Sequence, residues 1–161
     1  MQSFDGVRVC AVSDNIGNDS CLWPFAQVNI FAQGQLGGIN IADAVAQAIE
    51  GWNDVCGIEL TLTNNIKTAH IVVGQGTIDG PNGTLAYSEL PCGFTKSQWR
   101  QLQQKYDTGE IWTIAENPPN GRIDAVRVFC HEIGHAIGIS HIAMGNLMAP
   151  TYSTTIRFPQ R

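Results

Sequence analysis

Apolar residues between positions 41 and 52 recur at the spacing of an α-helix. They fall on one stripe of the helix surface, which comprises Ile41, Ala44, Val45, Ala48, Ile49 and Trp52. Asn40 immediately precedes the stripe, where its side chain can cap the first turn. The pattern therefore predicts an amphipathic helix from Ile41 to Trp52 with one buried face.

Other segments alternate between apolar and polar positions, as strands buried on one face do. This alternation predicts strands at Gln27–Phe31, Ile58–Thr63 and Thr84–Ser88. Ala69–Val73 is apolar apart from His70, as expected for a strand covered on both faces. A short, mostly apolar run at Glu110–Ala115 is a further strand candidate.

Two more segments carry signals for helix starts. Thr95-Lys96-Ser97-Gln98 has the form of a capping box and predicts a helix from Thr95 to about Tyr106. Asp124 can cap a further helix that runs to Gly138. Strands and helices in this order predict an α/β or α+β domain with a mixed, twisted sheet. The chain has 161 residues, the size of one ordinary domain.

Composition excludes several classes of protein. Only 14% of the residues are charged, 43% are hydrophobic, and the net charge is −5 with nine Lys and Arg residues. The low charged fraction excludes a charge-driven disordered chain, and the negative net charge excludes a basic nucleic-acid binder. No run approaches the ~20 apolar residues of a membrane-spanning helix. We therefore expect a compact domain without a nucleic-acid partner or a membrane span, either monomeric or part of a larger assembly.

The cysteines and the N-terminus bear on the compartment. Five cysteines occur, at positions 10, 21, 56, 92 and 130, so at least one thiol is left over. One or two disulfides, for example Cys10 with Cys21, and a fully reduced protein are both compatible with this spacing. The chain opens without the apolar segment of a signal peptide. We expect an extracellular or particle-associated protein whose export signal was removed earlier or whose release follows another route.

Three of the four histidines lie in one short segment, His131-Glu132-Ile133-Gly134-His135-Ala136-Ile137-Gly138-Ile139-Ser140-His141. His131 and His135 are four residues apart on the predicted helix, so both imidazoles can bind one zinc ion. Gly138 can end the helix with a positive φ, which lets the chain bring His141 to the same ion. Three neutral imidazoles leave a fourth position open, as in catalytic zinc sites.

Glu132 follows the first zinc ligand and is expected beside the open position. Zinc lowers the pKa of bound water to about 7, so that Glu132 can accept its proton as a general base. The hydroxide would attack a carbonyl that the zinc polarises, and Glu132 would return the proton to the departing amine. The motif thus predicts peptide-bond hydrolysis without a covalent intermediate, and its extension to Gly138 and His141 makes it specific.

This segment, followed by Met148, resembles the metzincin metalloproteases, and its details resemble their matrixin family. Met148-Ala149-Pro150-Thr151-Tyr152 is similar to the matrixin Met-turn and S1′ wall. Residues 79–87 are similar to the matrixin turn and edge strand that pairs with substrate. The resemblance covers about Trp23 to Tyr152. It implies an α/β (α+β) metzincin-type catalytic domain in which a twisted mixed sheet packs on two long helices and the zinc helix precedes the Met-turn.

The resemblance also implies roles for individual residues. Met148 would be a hydrophobic base beneath the zinc and not a ligand. Leu85 and Ala86 on the edge strand, and Pro150 and Tyr152 after the Met-turn, would bind the polypeptide substrate. One catalytic Zn²⁺ is therefore the implied cofactor.

The sequence departs from the matrixin pattern at several points. Tyr87 stands where matrixins have a histidine for a second, structural zinc, so we expect no such site and interpret His70 as a polar strand-end residue. Asp79 matches a calcium-binding acid of the family, which makes Ca²⁺ a second candidate cofactor. Thr95–Tyr106 resembles an insertion. The catalytic domain is expected at residues 23–161, without the C-terminal helix of matrixins.

Residues 1–22 are expected to form an extended segment. Within it, Arg8–Asp14 resembles the matrixin cysteine switch, in which a thiolate takes the fourth zinc position and silences the enzyme. Cys10 is therefore a candidate latch, although Cys21 offers it a disulfide partner. Cys130, next to His131, is expected to be buried.

The leading hypothesis is a zinc-dependent endopeptidase that cuts extended polypeptide. Two alternatives stay open: a catalytically silent zinc-binding module of a larger assembly, and a latent precursor inhibited by Cys10. The presence of Glu132 favours the enzyme, because a module that needs only the metal has no use for that carboxylate.

Overall fold

The computed structural model describes residues 21–142 and 146–159. In these residues the strands are β1 Gln27–Ala32, β2 Gln35–Leu36, β3 Ile39–Asn40, β4 Glu59–Thr63, β5 Ile71–Gly76, β6 Ala86–Ser88, β7 Leu102–Asp107, β8 Trp112–Thr113 and β9 Ile123–Asp124. The helices are α1 Ile41–Asn53 and α2 Ala125–Ala136, with a short 3-10 turn at Ile66–Thr68. The candidate latch Cys10 lies outside the described residues.

The main sheet has five strands in the order β4-β1-β5-β7-β6. β4, β1, β5 and β7 are parallel, while β6 runs antiparallel to β7 and forms one edge. The helices pack on each other, α1 also contacts β4 and β1, and α2 contacts β6. The expected α/β class is therefore confirmed, with a mixed sheet, two helices and an edge strand beside α2.

The first helix follows from its sequence as predicted. All six residues of the apolar stripe are buried, and they pack in the main core. Asn40 caps the helix because its side-chain oxygen accepts the Asp43 N–H at 3.2 Å. The strands predicted near Gln27, Ile58 and Ala69 are also present, with no end shifted by more than three residues.

The helix predicted from Thr95 to Tyr106 is wrong. The Gln98 N–H does donate to the Thr95 hydroxyl at 3.0 Å, but no helix follows this local cap, and Leu102–Asp107 forms β7. β7 pairs with β5 on one side and with β6 on the other, and it buries Leu102, Gln104 and Tyr106 at alternate positions. Pairing with two strands outweighs the local helix signal.

The disulfide also differs from the expectation, because Cys21 is bonded to Cys92 and not to Cys10. Among the described cysteines, Cys56 and Cys130 are free thiols; Cys130 is fully buried, as expected, and burial raises its pKa. The bond joins the segment before β1 to the loop after β6. That segment also reaches α2, since the Trp23 indole N–H donates to the Ala136 carbonyl at 2.6 Å.

His70 lies just before β5, and its side chain is held by a hydrogen bond and by contacts with aromatic rings. Its Nδ1 accepts the Asn29 N–H at 2.8 Å, and its ring packs against Trp23, Phe25 and Trp99. Burial lowers the pKa of the imidazole. These contacts agree with the expectation of a polar residue at a strand end.

Over residues 21–142 and 146–159, neither helix has the length and apolar character that crossing a bilayer requires.

Candidate metal centre

Helix α2 begins at a strong cap. The Asp124 carboxylate accepts the Val126 N–H at 3.1 Å, and it receives the Arg157 guanidinium at 2.8 Å. The Asp124 N–H in turn donates to the Tyr152 hydroxyl at 3.0 Å. The first turn of α2 is thus fixed by its own cap and by two residues from the C-terminal part of the chain.

The end of α2 is set by Gly138, as the sequence predicted. Gly138 has a φ of +109°, and a Cβ at this position would collide with the Cys21 carbonyl oxygen. The Gly138 N–H donates to the His135 carbonyl at 2.9 Å, and the Ile139 N–H donates to the Gly134 carbonyl at 2.9 Å. This pair of bonds is a Schellman motif, which ends the helix and redirects the chain.

The turn brings the third histidine back to the other two. His131, His135 and His141 each offer a ring nitrogen, and these atoms lie within 4.8 Å of one another. Nε2 of His131 is 3.0 Å from Nε2 of His135. Two nitrogens that bind one zinc ion tetrahedrally at about 2.0–2.1 Å lie about 3.3 Å apart, so this spacing suits zinc.

The second nitrogen of two of these rings is held by the backbone. His131 Nδ1 lies 2.8 Å from the Leu147 carbonyl oxygen, and His135 Nδ1 lies 2.6 Å from that of Ile139. A carbonyl can only accept, so each Nδ1 carries the proton and donates, which leaves Nε2 as a lone-pair ligand. Burial, reinforced by His135, also holds the pKa of His131 well below its usual value. Both rings are thus oriented by the backbone with Nε2 facing the shared position, which suits binding of a zinc ion.

Glu132 lies between the first two histidines in sequence and is fully buried. Its backbone carbonyl accepts the Gln104 side-chain N–H at 2.8 Å, which ties this turn of α2 to β7. A fully buried carboxylate has little access to bulk water. The role of Glu132 as a general base stays a prediction.

Met148 packs against Gly134 of α2. A Cβ on Gly134 would overlap the Met148 sulfur, and it would lie 2.9 Å from Cζ2 of Trp52. The Ala149 N–H donates to the Asn146 carbonyl at 3.1 Å, which closes the turn around Met148. The methionine therefore contacts α2 at Gly134, which lies between the two helix histidines along the chain. Its role as a hydrophobic base beneath a zinc ion stays a prediction.

The four residues expected to bind substrate fall in different settings. Leu85 and Ala86 are buried at the edge strand, and the Leu85 carbonyl accepts the Asp107 N–H at 2.9 Å. Pro150 is half-buried. Tyr152 is buried under the Arg127 guanidinium, which lies 5.1 Å from its ring centroid. The Tyr152 side chain thus supports the start of α2, and substrate binding by these four residues stays a prediction.

Asp79 has two acidic neighbours that the sequence analysis missed, Asp107 and Glu110. Its Oδ2 accepts the Thr84 N–H at 2.8 Å. Although burial alone would raise the pKa of Asp107, four backbone N–H groups, from residues 78, 79, 80 and 109, hold it below its usual range. Burial raises the pKa of Glu110, and the charges of Asp107 and Asp79 raise it further.

The sequence contained a signal for this acidic group, because Asp107-Thr108-Gly109-Glu110 is a polar turn with two carboxylates three residues apart. This signal was missed because Thr95–Tyr106, which directly precedes the turn, was predicted to be a helix. Glu110 is 8% exposed, and its Oε1 has no hydrogen-bond partner within the described part of the chain. A buried carboxylate oxygen of this kind is a candidate cation ligand.

Comparison with known proteins agrees with this geometry. The family model described as Matrixin matches residues 28–160. The chain is 29% identical to stromelysin-3 of Xenopus laevis over 133 residues, which are 78% of this chain and 26% of that protein. It is 30% identical to serralysin of Photorhabdus sp. (strain Az29) over 71% of this chain and 23% of that protein. It is also 34% identical to human matrix metalloproteinase-17, over 52% of this chain and 13% of that protein. The chain thus spans about a quarter of the length of the first of these relatives.

Proposed function

The chain belongs to the matrixin family of zinc-dependent metalloproteases, and from this premise we propose that it is itself a catalytically active endopeptidase. His131, His135 and His141 would hold one zinc ion. Glu132 would serve as the general base and Met148 as the hydrophobic support beneath the site. Extended polypeptide is the proposed substrate.

One observation carries the proposal. Both helix histidines have Nδ1 committed to a backbone carbonyl, and their Nε2 atoms point to one place, to which His141 also contributes a ring nitrogen. Such an arrangement fixes the orientation of the two helix imidazoles before a metal binds. If the histidines had this spacing by chance, there would be no basis to expect both Nδ1 atoms to be hydrogen-bonded to backbone carbonyls.

Glu132 performs the proton transfers in the proposed reaction. A zinc ion at the three imidazoles would act as a Lewis acid, lowering the pKa of a water molecule and polarising a carbonyl oxygen. Glu132 accepts the proton of the attacking water and later donates it to the amine nitrogen that leaves. Its burial keeps bulk water from competing for this proton. The protein itself forms no covalent bond with the substrate.

The edge strand β6 supports binding of an extended chain. It is the last strand of the main sheet and lies next to β7 and against α2. A substrate strand could add to this edge by main-chain hydrogen bonds, which would place a peptide bond beside the histidines. Leu85, Ala86, Pro150 and Tyr152 are the proposed lining of this groove.

The disulfide bears on where this chemistry takes place. Cys21 and Cys92 form a bond that links the segment before β1 to the loop after the edge strand. Structural disulfides persist mainly in oxidising compartments. We propose that the protein works outside the reducing cytosol.

Calcium is the proposed second cofactor. Asp79, in the turn between β5 and β6, and Glu110, in the turn after β7, both lie near Asp107. Oε1 of Glu110 is buried and has no hydrogen-bond partner in the described chain. Hard oxygen ligands of this kind suit Ca²⁺. The expected result is a rise in the melting temperature on adding CaCl₂, which Glu110→Gln abolishes. An equal rise in the variant would place the calcium elsewhere.

The function is tested by Glu132→Gln, which keeps the volume of the side chain but removes the base. We expect cleavage of a peptide library to fall at least about 100-fold, because general acid–base catalysis contributes about 10²–10⁴. Zinc content should stay at one ion per chain, since the three ligands are unchanged. Undiminished cleavage would refute the role of Glu132. A zinc-loaded wild-type protein that cleaves nothing would instead favour the silent binding module.

A further inference from the structure

Gln104 is a buried polar residue in the middle of β7, on the face that packs against α2. Its side chain is only 2% exposed. Its Nε2 donates to the Ser88 hydroxyl of the edge strand at 3.1 Å and to the Glu132 carbonyl of α2 at 2.8 Å. One amide nitrogen therefore touches both the strand proposed to pair with substrate and the residue proposed as the base.

The orientation of this amide is fixed by its partners. The Tyr106 hydroxyl donates to Gln104 Oε1 at 2.9 Å, and the Ser88 hydroxyl lies 3.0 Å from the Glu89 carbonyl, to which it donates. If the amide were flipped, its oxygen would face the Glu132 carbonyl, which can only accept. Every donor in the network thus has a defined acceptor, and the amide has one favourable orientation.

Three side chains from different parts of the fold donate to the main chain of α2. The Trp52 indole donates to the Cys130 carbonyl at 2.8 Å, and Trp23 donates to Ala136, as described above. The two tryptophans contact the helix on either side of Glu132 along the chain. Gln104 is the donor that reaches Glu132 itself, and it comes from the strand next to β6.

Stability alone does not require this network. An apolar side chain of similar volume in a buried position is often as stable as a satisfied polar group. A satisfied polar group makes the packing more specific, because its hydrogen bonds can form in only one relative position of the packed elements. In this fold the relative position concerned is that of α2 along β7 and β6.

We propose that Gln104 is a positioning residue that sets the distance between Glu132 and a substrate paired with β6. The proposal rests on the proposed peptidase function. The hydrogen bond from Gln104 to α2 ends on a main-chain carbonyl, so Gln104 acts through the main chain of the helix. Small errors in the placement of a catalytic group cost rate more than binding, because the substrate still pairs with the strand.

The first test is Gln104→Met, which keeps the length and volume of the side chain and removes all three hydrogen bonds. We expect kcat on a peptide substrate to fall about tenfold or more while KM changes less than twofold. Zinc content should stay at one ion per chain. Gln103→Met is the matched control, because Gln103 neighbours Gln104 on the same strand but is exposed. It should leave kcat within twofold.

Tyr106→Phe separates positioning from stability. It removes the hydrogen bond to Gln104 Oε1 but leaves the bond to Glu132, so we expect a lower melting temperature with kcat within twofold. If Gln104→Met does not fold, Gln104→Asn replaces it, because the amide is then one methylene too short to reach both partners. A kcat equal to that of the Gln103→Met control would overturn the proposal, as would a loss that lies entirely in KM or in zinc content.

Amide hydrogen exchange gives a readout that does not depend on activity. In Gln104→Met, the amides of α2 should exchange at least about tenfold faster than in Tyr106→Phe, because the helix loses one of its ties to the sheet. Equal exchange in the two variants would overturn the proposed coupling. If the wild-type protein cleaves no peptide, the proposed function fails, and the exchange result still decides whether Gln104 ties Glu132 to β7.

Discussion

Helix α2 and strand β7 lie in the same core and serve the candidate site in opposite ways. α2 and the turn after it carry all three candidate zinc ligands and Glu132 within residues 131–141. β7 carries none of them and reaches the site through one buried amide. β7 is placed by its two neighbours in the sheet, β5 and β6.

The reactive groups of the site and the contacts that position them therefore come from different regions of the chain. The reactive groups come from a short segment whose helix spacing and terminal glycine bring them together. Their position relative to the edge strand depends on contacts between residues far apart in sequence, such as Gln104 with Glu132. Changes in α2 should therefore act on the start, packing and metal binding of the helix, whereas changes around β7 should act on the sheet.

Among the stability changes, we expect the largest for Asp124→Ala at the start of α2. The substitution removes the N-cap of the helix and takes from Arg157 its nearer ion-pair partner, whose carboxylate lies 2.8 Å away, while the partner at 3.4 Å, Glu116, remains. A lost cap costs about 0.5–2 kcal/mol, and the ion-pair partner adds to this, so we expect about 2 kcal/mol or more in the free energy of unfolding. Denaturant titration measures it. A cost below about 0.5 kcal/mol would mean that α2 does not depend on this cap.

Gly134→Ala tests the packing beneath the ligands. A Cβ at this position would overlap the Met148 sulfur and approach Met148 Cε to 2.8 Å. Overpacking costs about 1–3 kcal/mol, which should outweigh the gain of about 1 kcal/mol that alanine brings to a helix. The variant should unfold at a lower denaturant concentration and cleave peptide more slowly. A variant more stable than the wild type would show that the space beneath α2 is open.

The pH dependence of stability tests the strands beside β7. Folding lowers the pKa of His70 below that of the unfolded chain, so the unfolded state binds the proton first as the pH falls. The free energy of unfolding should therefore decrease as the pH drops below about 6.5, toward the lower folded pKa. His70→Gln does not titrate and should show a flatter profile over this interval. Identical profiles would mean that His70 contributes nothing to the pH dependence.

Thr95→Ala should have the smallest effect. Thr95 is exposed and accepts the Gln98 N–H, but no helix follows it. We expect a change within about 0.5 kcal/mol in the free energy of unfolding, as for most surface substitutions. Asp124→Ala is the comparison, because it removes a capping side chain at a position that a helix does follow. Equal costs for the two would contradict the distinction between them.

The sequence predicted α2 and the grouping of its three histidines because their determinants are local. The Asp124 cap, the spacing of His131 and His135, and the stop at Gly138 all depend on residues within one helix and its ends. Asn40 and the apolar stripe after it predicted α1 for the same reason. Where a few neighbouring residues decide the structure, their pattern was enough.

The sequence did not predict β7, because the local signal and the long-range pairing disagree. Thr95 does bond to Gln98 as a cap would, yet the open edge of β5 takes Leu102–Asp107 as its partner. The pairing of Cys21 with Cys92 was also not available, since cysteine spacing does not determine connectivity. The Gln104 network depends on the same long-range placement and was missed with β7.

The most direct measurement of the central claim is a zinc titration of metal-free protein with peptide cleavage as the readout. Cleavage should be absent after chelation and should rise linearly with added zinc until one ion per chain is bound, because His131, His135 and His141 form a single site. It should then reach a plateau. Cleavage that persists in metal-free protein, or that never arises at one bound zinc ion per chain, would contradict the account.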